Sequence, residues 1–308
     1  MPELGTQVSD SANSASAAAT PSGTIPTTPA GQHHEAEVAR GERFRFGANW
    51  QRFLAVLDDS RIAIAEESLR DMLGIVSLDG KRFLDAGSGS GLFSLAARRL
   101  GATVVSFDFD PQSVACTMEL RSRFFPNDTR WTVSEGSILN AQFLESLGSF
   151  DVVYSWGVLH HTGDMWRAME LVHPLVAKGG QLFIALYNDQ GVHSRVWRAL
   201  KRTYCSGAVG RWLVTGLCVP HFVGRQLLSD AVRGRNPFEY YRSYRQLRGM
   251  SVIRDWHDWL GGYPYEVATP TATFDFFRAR GFVLARMKTT NGLGCNEFVF
   301  LRTEGTVT

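Results

Sequence analysis

From Gly80 onward the apolar and polar positions switch between two periods. Five short apolar runs have strand length: "RFLDAG" (82–87), "TVVSFD" (103–108), "WTVSEG" (131–136), "FDVVYSW" (150–156) and "GQLFIALYN" (180–188). Between them the spacing is helical. In "GLFSLAARRLG", Leu92, Leu95, Ala96 and Leu100 share a face, and Gly101 is placed to end the helix. Pro111 opens a second helix, "PQSVACTMELRSRFF", and "TGDMWRAMELVHPLVA" predicts a third over 162–177, kinked at Pro174. Strands alternating with helices at this spacing predict βαβ units and a parallel sheet.

The rhythm breaks after the fifth strand. Residues 189–251 are rich in Arg, Trp and Tyr at helical spacing, with Trp197, Leu200 and Tyr204 on one stripe and Arg198, Lys201 and Arg202 opposite. This predicts a helical insertion or cap whose basic run "WRALKRTY" is a solvated face. A helix, "TATFDFFRARG", and two strands, "FVLARMKTT" and "CNEFVFLR", close the chain, the strands joined by a hairpin at "NGLG". At the other end, residues 1–40 are dominated by Ser, Ala, Thr and Pro and predict a disordered tail, leaving 41–308 as one domain. Within it, "RFRFGANWQRFL" is placed to form an N-terminal cover, with Asn49 and Trp50 inward.

Composition narrows the function. The 308 residues are 44% hydrophobic and carry a net charge of +2, which offers no electrostatic footprint for nucleic acid. Cys116, Cys205, Cys218 and Cys295 lie far apart without metal-ligand spacing, and read as reduced thiols of a cytoplasmic protein. The N-terminus lacks the basic start and apolar core of a secretory signal, and no apolar run reaches the ~18 residues of a membrane span.

The chemistry starts at "FLDAGSGSGLFSL". Gly87, Gly89 and Gly91 form G-x-G-x-G between strand and helix, whereas a dinucleotide fingerprint places its last glycine where Leu92 stands. Asp85, two residues before the first glycine, would repel a pyrophosphate and receive a cationic group. Asp108, about 20 residues after the turn, suits the two hydroxyls of a ribose. A ligand with a ribose, an adenine and a charged amino acid in place of a pyrophosphate is S-adenosylmethionine.

From about Arg43 onward the chain resembles the class I S-adenosylmethionine-dependent methyltransferases. "LDAGSGSG" is similar to that family's first motif, "VVSFDFD" to its second, and the terminal hairpin to its reversed last strand. "VYSWGVLHHTGDM" resembles the branch of ubiquinone, menaquinone and secondary-metabolite methylases. The resemblance implies an α/β fold with a seven-stranded, mainly parallel, doubly wound sheet. Asp85, Gly87, Ser88, Gly89 and Gly91 would surround the methionine moiety, Asp108 the ribose, and Phe109 an adenine face. Ser137 and Ile138 fall where the family has an acid for the adenine amine, and Trp156 would line the methyl side. S-adenosylhomocysteine would be the product.

Methyl transfer needs an aligned acceptor, exclusion of water and, for a hydroxyl, a route for its proton. His161, and secondarily His160, follow the fourth strand at the edge where ligands of such sheets bind, and are candidate bases. Tyr187, Asn188, Trp259 and Tyr263 are candidate substrate contacts, with Trp256 and Tyr265 nearby. No carboxylate cluster suggests a metal. The expected reaction is O-methylation of a small aromatic, quinone-like or natural-product acceptor. Its rivals are N- or C-methylation of a peptide, protein or glycan, and a non-catalytic binding protein. Nucleic acid is not expected as a partner. Membrane-surface contact is the minority reading, tied to a lipid-linked quinone.

Overall fold

The computed structural model describes residues 28–234, 236 and 259–304; residues 1–27 of the expected tail, Trp256 and much of the C-terminal part of the insertion lie outside these. Seven strands form one sheet: β1 (Arg82–Ala86), β2 (Thr103–Asp108), β3 (Trp131–Glu135), β4 (Phe150–Trp156), β5 (Val176–Tyr187), β6 (Phe282–Lys288) and β7 (Cys295–Arg302). Their order is β3-β2-β1-β4-β5-β7-β6, with every pairing parallel except those of β7. The sequence changes direction from β1 outward to β3 and then from β4 outward, so the crevice between the two halves opens above the carboxyl ends of β1 and β4.

The two faces of each strand feed two cores. In β1, Phe83 packs with α3 (Asp59–Leu73), α4 (Leu92–Arg99) and α5 (Pro111–Phe124) through Leu69, Leu95 and Leu120. Leu84 and Ala86 face the other layer, with α6 (Ala141–Leu147), α7 (Met165–Val172) and α10 (Pro270–Arg278) contributing Leu144, Met169 and Phe277. Strands covered on both sides read as continuous apolar runs, which is the pattern seen in the sequence. Helix starts are set by local chemistry: Asp110 caps α5 ahead of Pro111, and Thr269 caps α10 ahead of Pro270. The helix expected over 162–177 ends at Val172. Pro174 falls in a short 3₁₀ turn, and β5 begins at Val176.

Helices α1 (Pro29–Ala39) and α2 (Gly47–Leu54) precede the sheet, and α8 (Val192–Cys205) and α9 (Ala208–Val232) follow β5. Helix α1 corrects the reading of residues 1–40 as disordered, since its last third is ordered against the sheet edge. Thr28 caps it and gives both its backbone N–H and its hydroxyl to Glu135 at the end of β3. Lys201 is a second correction. It is only 3% exposed, whereas Arg202 beside it faces solvent.

Candidate active site

A cleft enclosing about 850 Å³, open mouth included, lies over the carboxyl ends of β1, β2 and β4. Its floor is the glycine turn. Gly87, Gly89 and Gly91 all have left-handed φ (89°, 55° and 79°). A Cβ on Gly87 would sit 2.4 Å from a methyl of Val158, and one on Gly91 would meet the Thr117 backbone at 2.9 Å. Four of the turn's amides are already engaged. Gly87 and Ser88 donate to the Phe107 carbonyl, Gly91 to the Ser88 carbonyl, and Gly89 to the Asp108 carboxylate at 2.9 Å. A phosphate needs such N–H groups free and converging, so this turn does not offer a pyrophosphate cradle.

Asp108 lines the cleft and is half-buried, its second oxygen accepting from the Asp110 N–H. Burial, with Asp110 beside it, pushes its carboxyl up to about 6. Asp85 sits one layer deeper. It is 2% exposed and does not itself line the cleft. Its partner is the Ser94 hydroxyl, which stands 2.7 Å from that of Ser106, which in turn accepts from the Trp131 ring N–H. With Ser94's only proton given to Asp85, the chain of donors runs one way, from Trp131 to the carboxylate. Burial still raises Asp85 to about 7, and the charge on Asp108 adds to that. A buried and a half-buried acid, neither in an ion pair among the described residues, suit a ligand carrying a cation and paired hydroxyls.

The remaining cofactor positions divide. Phe109, Ser137, Ile138 and Trp156 line the cleft. The Arg43 guanidinium lies 5.0 Å over the Phe109 ring, and Trp156 donates its ring N–H to Glu297. Ser88 and Gly91 lie outside the cleft lining and shape the turn from behind. The N-terminal cover is present, with Trp50 inward against Gly89; Asn49 instead lies on the opposite side, accepting from Arg52. The sequence reading missed His34 of α1, which also lines the cleft, edge-on to Phe109 and 3.7 Å from Asp110. It missed Arg43 too, which bonds the carbonyls of His161 and Thr162.

The two histidines have different surroundings. His161 lines the cleft, and its Nδ1 lies 2.6 Å from the Pro264 carbonyl. A carbonyl only accepts, so Nδ1 carries the proton and Nε2 holds a lone pair. Burial pushes the ring down to about 3, helped by Lys201 and Arg43, so it is neutral across the physiological range. His160 accepts from the Tyr187 N–H at Nδ1, interacts with the Ala185 backbone and does not line the cleft. Burial and the neighbouring His161 lower it far below the usual histidine range.

A methyltransferase-domain family model matches residues 53–230. The chain belongs to the S-adenosylmethionine-dependent methyltransferases. The ubiquinone biosynthesis O-methyltransferase of Escherichia fergusonii is 34% identical over 116 residues, covering 37% of this chain and 46% of that protein. Its counterpart in Escherichia coli O139:H28 is 33% identical over the same length. The match thus spans less than half the length of these curated relatives. Among solved structures, a magnesium protoporphyrin IX methyltransferase from Synechocystis PCC 6803 with bound S-adenosylmethionine aligns with a TM-score of 0.50 at 11% identity, covering 91% of this chain and 100% of that one. An O-methyltransferase family protein from Burkholderia thailandensis gives 0.51 at 14%, covering 89% and 69%. At those identities the likeness is one of fold.

The residues of this methyltransferase fit S-adenosylmethionine as its methyl donor, since the glycine turn admits close approach and the two acids await positive charge. Of the expected acceptor contacts, Tyr187 and Trp259 line a smaller chamber, with the Tyr187 ring 5.4 Å from that of His161. Asn188 stands at the base of the hairpin. Its amide holds the carbonyls of Thr290 and Gly292 and accepts from Asn296, so it pins the β6–β7 hairpin. Tyr263 uses its carbonyl to hold the Phe44 N–H. Among the described residues no three His, Cys, Asp or Glu side chains group to hold a metal ion, and no helix is long and apolar enough to cross a membrane.

Proposed function

We propose that this methyltransferase methylates a hydroxyl on a small aromatic, quinone-like acceptor. The observation carrying this is His161, a neutral imidazole on the cleft wall with its tautomer set by Pro264 and a lone pair on Nε2. The O-methyltransferase relatives support the same reading. When bound, the cofactor supplies a methyl group on a sulfonium, whose carbon–sulfur bond breaks with its electron pair left on sulfur.

The acceptor oxygen forms the new bond to carbon and must lose its proton. A phenol near 10 passing its proton to a base near 3 before any bond forms would be uphill by roughly 9 kcal/mol. The order is therefore the reverse. As the oxygen–carbon bond forms, the oxygen becomes cationic and its proton strongly acidic, and a weak base then suffices. His161 Nε2 accepts it late, while its Nδ1–H stays on Pro264. The covering segment from Phe44 to Trp50 lines the cleft and excludes water.

Replacing His161 with Gln is expected to lower kcat about 100-fold while S-adenosylhomocysteine binding, measured by calorimetry, stays within about threefold. Retention of kcat within that same threefold would point to a nitrogen acceptor or a solvent-borne proton and overturn this role. Calorimetry of the unaltered protein showing no cofactor binding would sink the enzymatic reading altogether.

A further inference from the structure

Helix α9 turns apolar side chains to both sides. Gly210, Val214 and Cys218 are buried toward α8, where Val214 and Cys218 join a small core with Tyr204 and Leu260. The other side faces solvent. Along one ridge of the helix, Trp212, Gly216, Pro220, Gly224, Leu228 and Val232 are all exposed, and none is polar. The ridge beside it begins with Val209, Leu213 and Leu217, also exposed, before reaching His221 and Arg225. The large side chains of the two ridges are between 57% and 80% exposed. A solvent-facing stripe ordinarily carries charged and polar residues, and a contiguous apolar one marks a contact surface.

The charge around this stripe has one sign. From Val192 to Arg233 the chain holds six arginines and Lys201 against a single carboxylate, Asp230, which is 3% exposed and held by Gln226. Arg211 and Arg225 stand on either side of the helix midpoint, and no carboxylate among the described residues pairs with them. The occupant must therefore offer apolar depth and negative charge together. A second copy offers only the first. Pairing α9 with its copy in either orientation sets arginine against arginine, with no exposed acid on α8 or α9 to answer. A bilayer of anionic lipid offers both. Helix α9 is not apolar enough to cross it, so it would lie along the interface, with Trp212 at the level such rings prefer.

This face also connects to the cleft. The Arg211 guanidinium lies 5.5 Å from the centre of the Tyr204 ring, that ring lies 6.5 Å from Phe44, and Phe44 lines the cleft. We propose that α9 docks this methyltransferase on an anionic membrane surface, its apolar ridges entering the acyl boundary and Arg211 and Arg225 meeting lipid phosphates. Docking holds the cap of the cleft beside the lipid, and does not depend on which acceptor atom is methylated.

The test sediments the full chain with vesicles of phosphatidylglycerol and phosphatidylcholine in equal parts, or of phosphatidylcholine alone. Binding to the anionic vesicles is expected to be about tenfold or more tighter. Arg211→Gln with Arg225→Gln should remove most of that preference, about fivefold for each arginine. Leu213→Glu with Leu217→Glu is expected to weaken anionic-vesicle binding more than tenfold, while S-adenosylhomocysteine affinity by calorimetry holds. Brominated lipid should quench the fluorescence of the unaltered protein and quench Trp212→Phe distinctly less, a single exposed change that covers the case in which the double glutamate variant does not fold. Absence of sedimentation with anionic vesicles, or binding and quenching that survive all of these substitutions, overturns the proposal. A dimer in ultracentrifugation that Leu213→Glu with Leu217→Glu dissolves, without vesicle binding by the unaltered protein, would make a second copy the occupant and overturn it equally.

Discussion

At the scale of single residues, the site depends on atoms that are missing. Gly87 is needed for two separate reasons, a φ of 89° and the 2.4 Å that would separate a Cβ from Val158. An alanine there would suffer both the left-handed backbone, about 1–2 kcal/mol, and a clash directed into the cleft floor. Gly87→Ala is expected to weaken S-adenosylhomocysteine binding about tenfold or more by calorimetry. Adding Val158→Ala should recover part of that loss, because it removes the clash and leaves the backbone strain. No recovery in the double variant would show that the Val158 contact is irrelevant. The glycines and Asp108 were legible in the sequence because their chemistry is local: a turn conformation, and an acid at a strand end. The depth of Asp85 was not. Whether a strand residue faces the ligand or the layer behind it depends on the relay through Ser94, Ser106 and Trp131, which lie on three other elements.

At the scale of elements, α1 and α8 were misread for opposite reasons. Helix α1 has hardly any apolar face, so it carries none of the periodicity that announces a packed helix. It is held instead by polar contacts, among them Thr28 on Glu135, Glu37 on Arg43 and His34 beside Asp110. The one readable signal was Thr28 followed by Pro29, a cap and a first-turn proline. In α8 charge was allowed to outrank spacing. Lys201 stands four residues after Trp197, hence on the Trp197 side of the helix, and the segment from Trp259 to Tyr265 covers it there. The docking of α1 has a direct test at Gly31, where any Cβ would lie 2.7 Å from both the Pro111 ring and the Glu135 carboxylate. Gly31→Val is expected to lift α1 from the sheet edge, remove His34 from the cleft and weaken S-adenosylhomocysteine about tenfold, the equivalent of ~1.4 kcal/mol. The melting temperature of the cofactor-free protein should move little, since α1 contributes nothing to either main core. A large fall in melting temperature with unchanged affinity would contradict this division.

At the scale of the molecule, the parallel sheet was legible because strands buried on both faces declare themselves as apolar runs, whereas the insertion's packing was not, because it is set by contacts remote in sequence. The same enclosure places buried acids and buried histidines on one site, and their titrations oppose each other. Asp85, raised to about 7 in the folded chain against about 4 unfolded, contributes stability that is present at pH 4 and lost as the pH rises through 7. His161, lowered to about 3 against about 6.5 unfolded, contributes stability that is present above pH 6.5 and lost as the pH falls toward 3. Between pH 5 and 8 these slopes largely cancel, so the cofactor-free protein hides both. Single substitutions should expose them. Relative to the unaltered protein, Asp85→Asn is expected to gain about 3 kcal/mol between pH 5 and pH 8, and His161→Gln about 2 kcal/mol between pH 6.5 and pH 5, each near 1.4 kcal/mol per pH unit where its group titrates. Chemical denaturation at those pH values reads both. If the two differences run in the same direction with pH, the opposing burial of acid and imidazole is wrong. Repeating the series with saturating S-adenosylmethionine should flatten the Asp85 difference, because the ligand's positive charge stabilises the ionised carboxylate that burial alone disfavours.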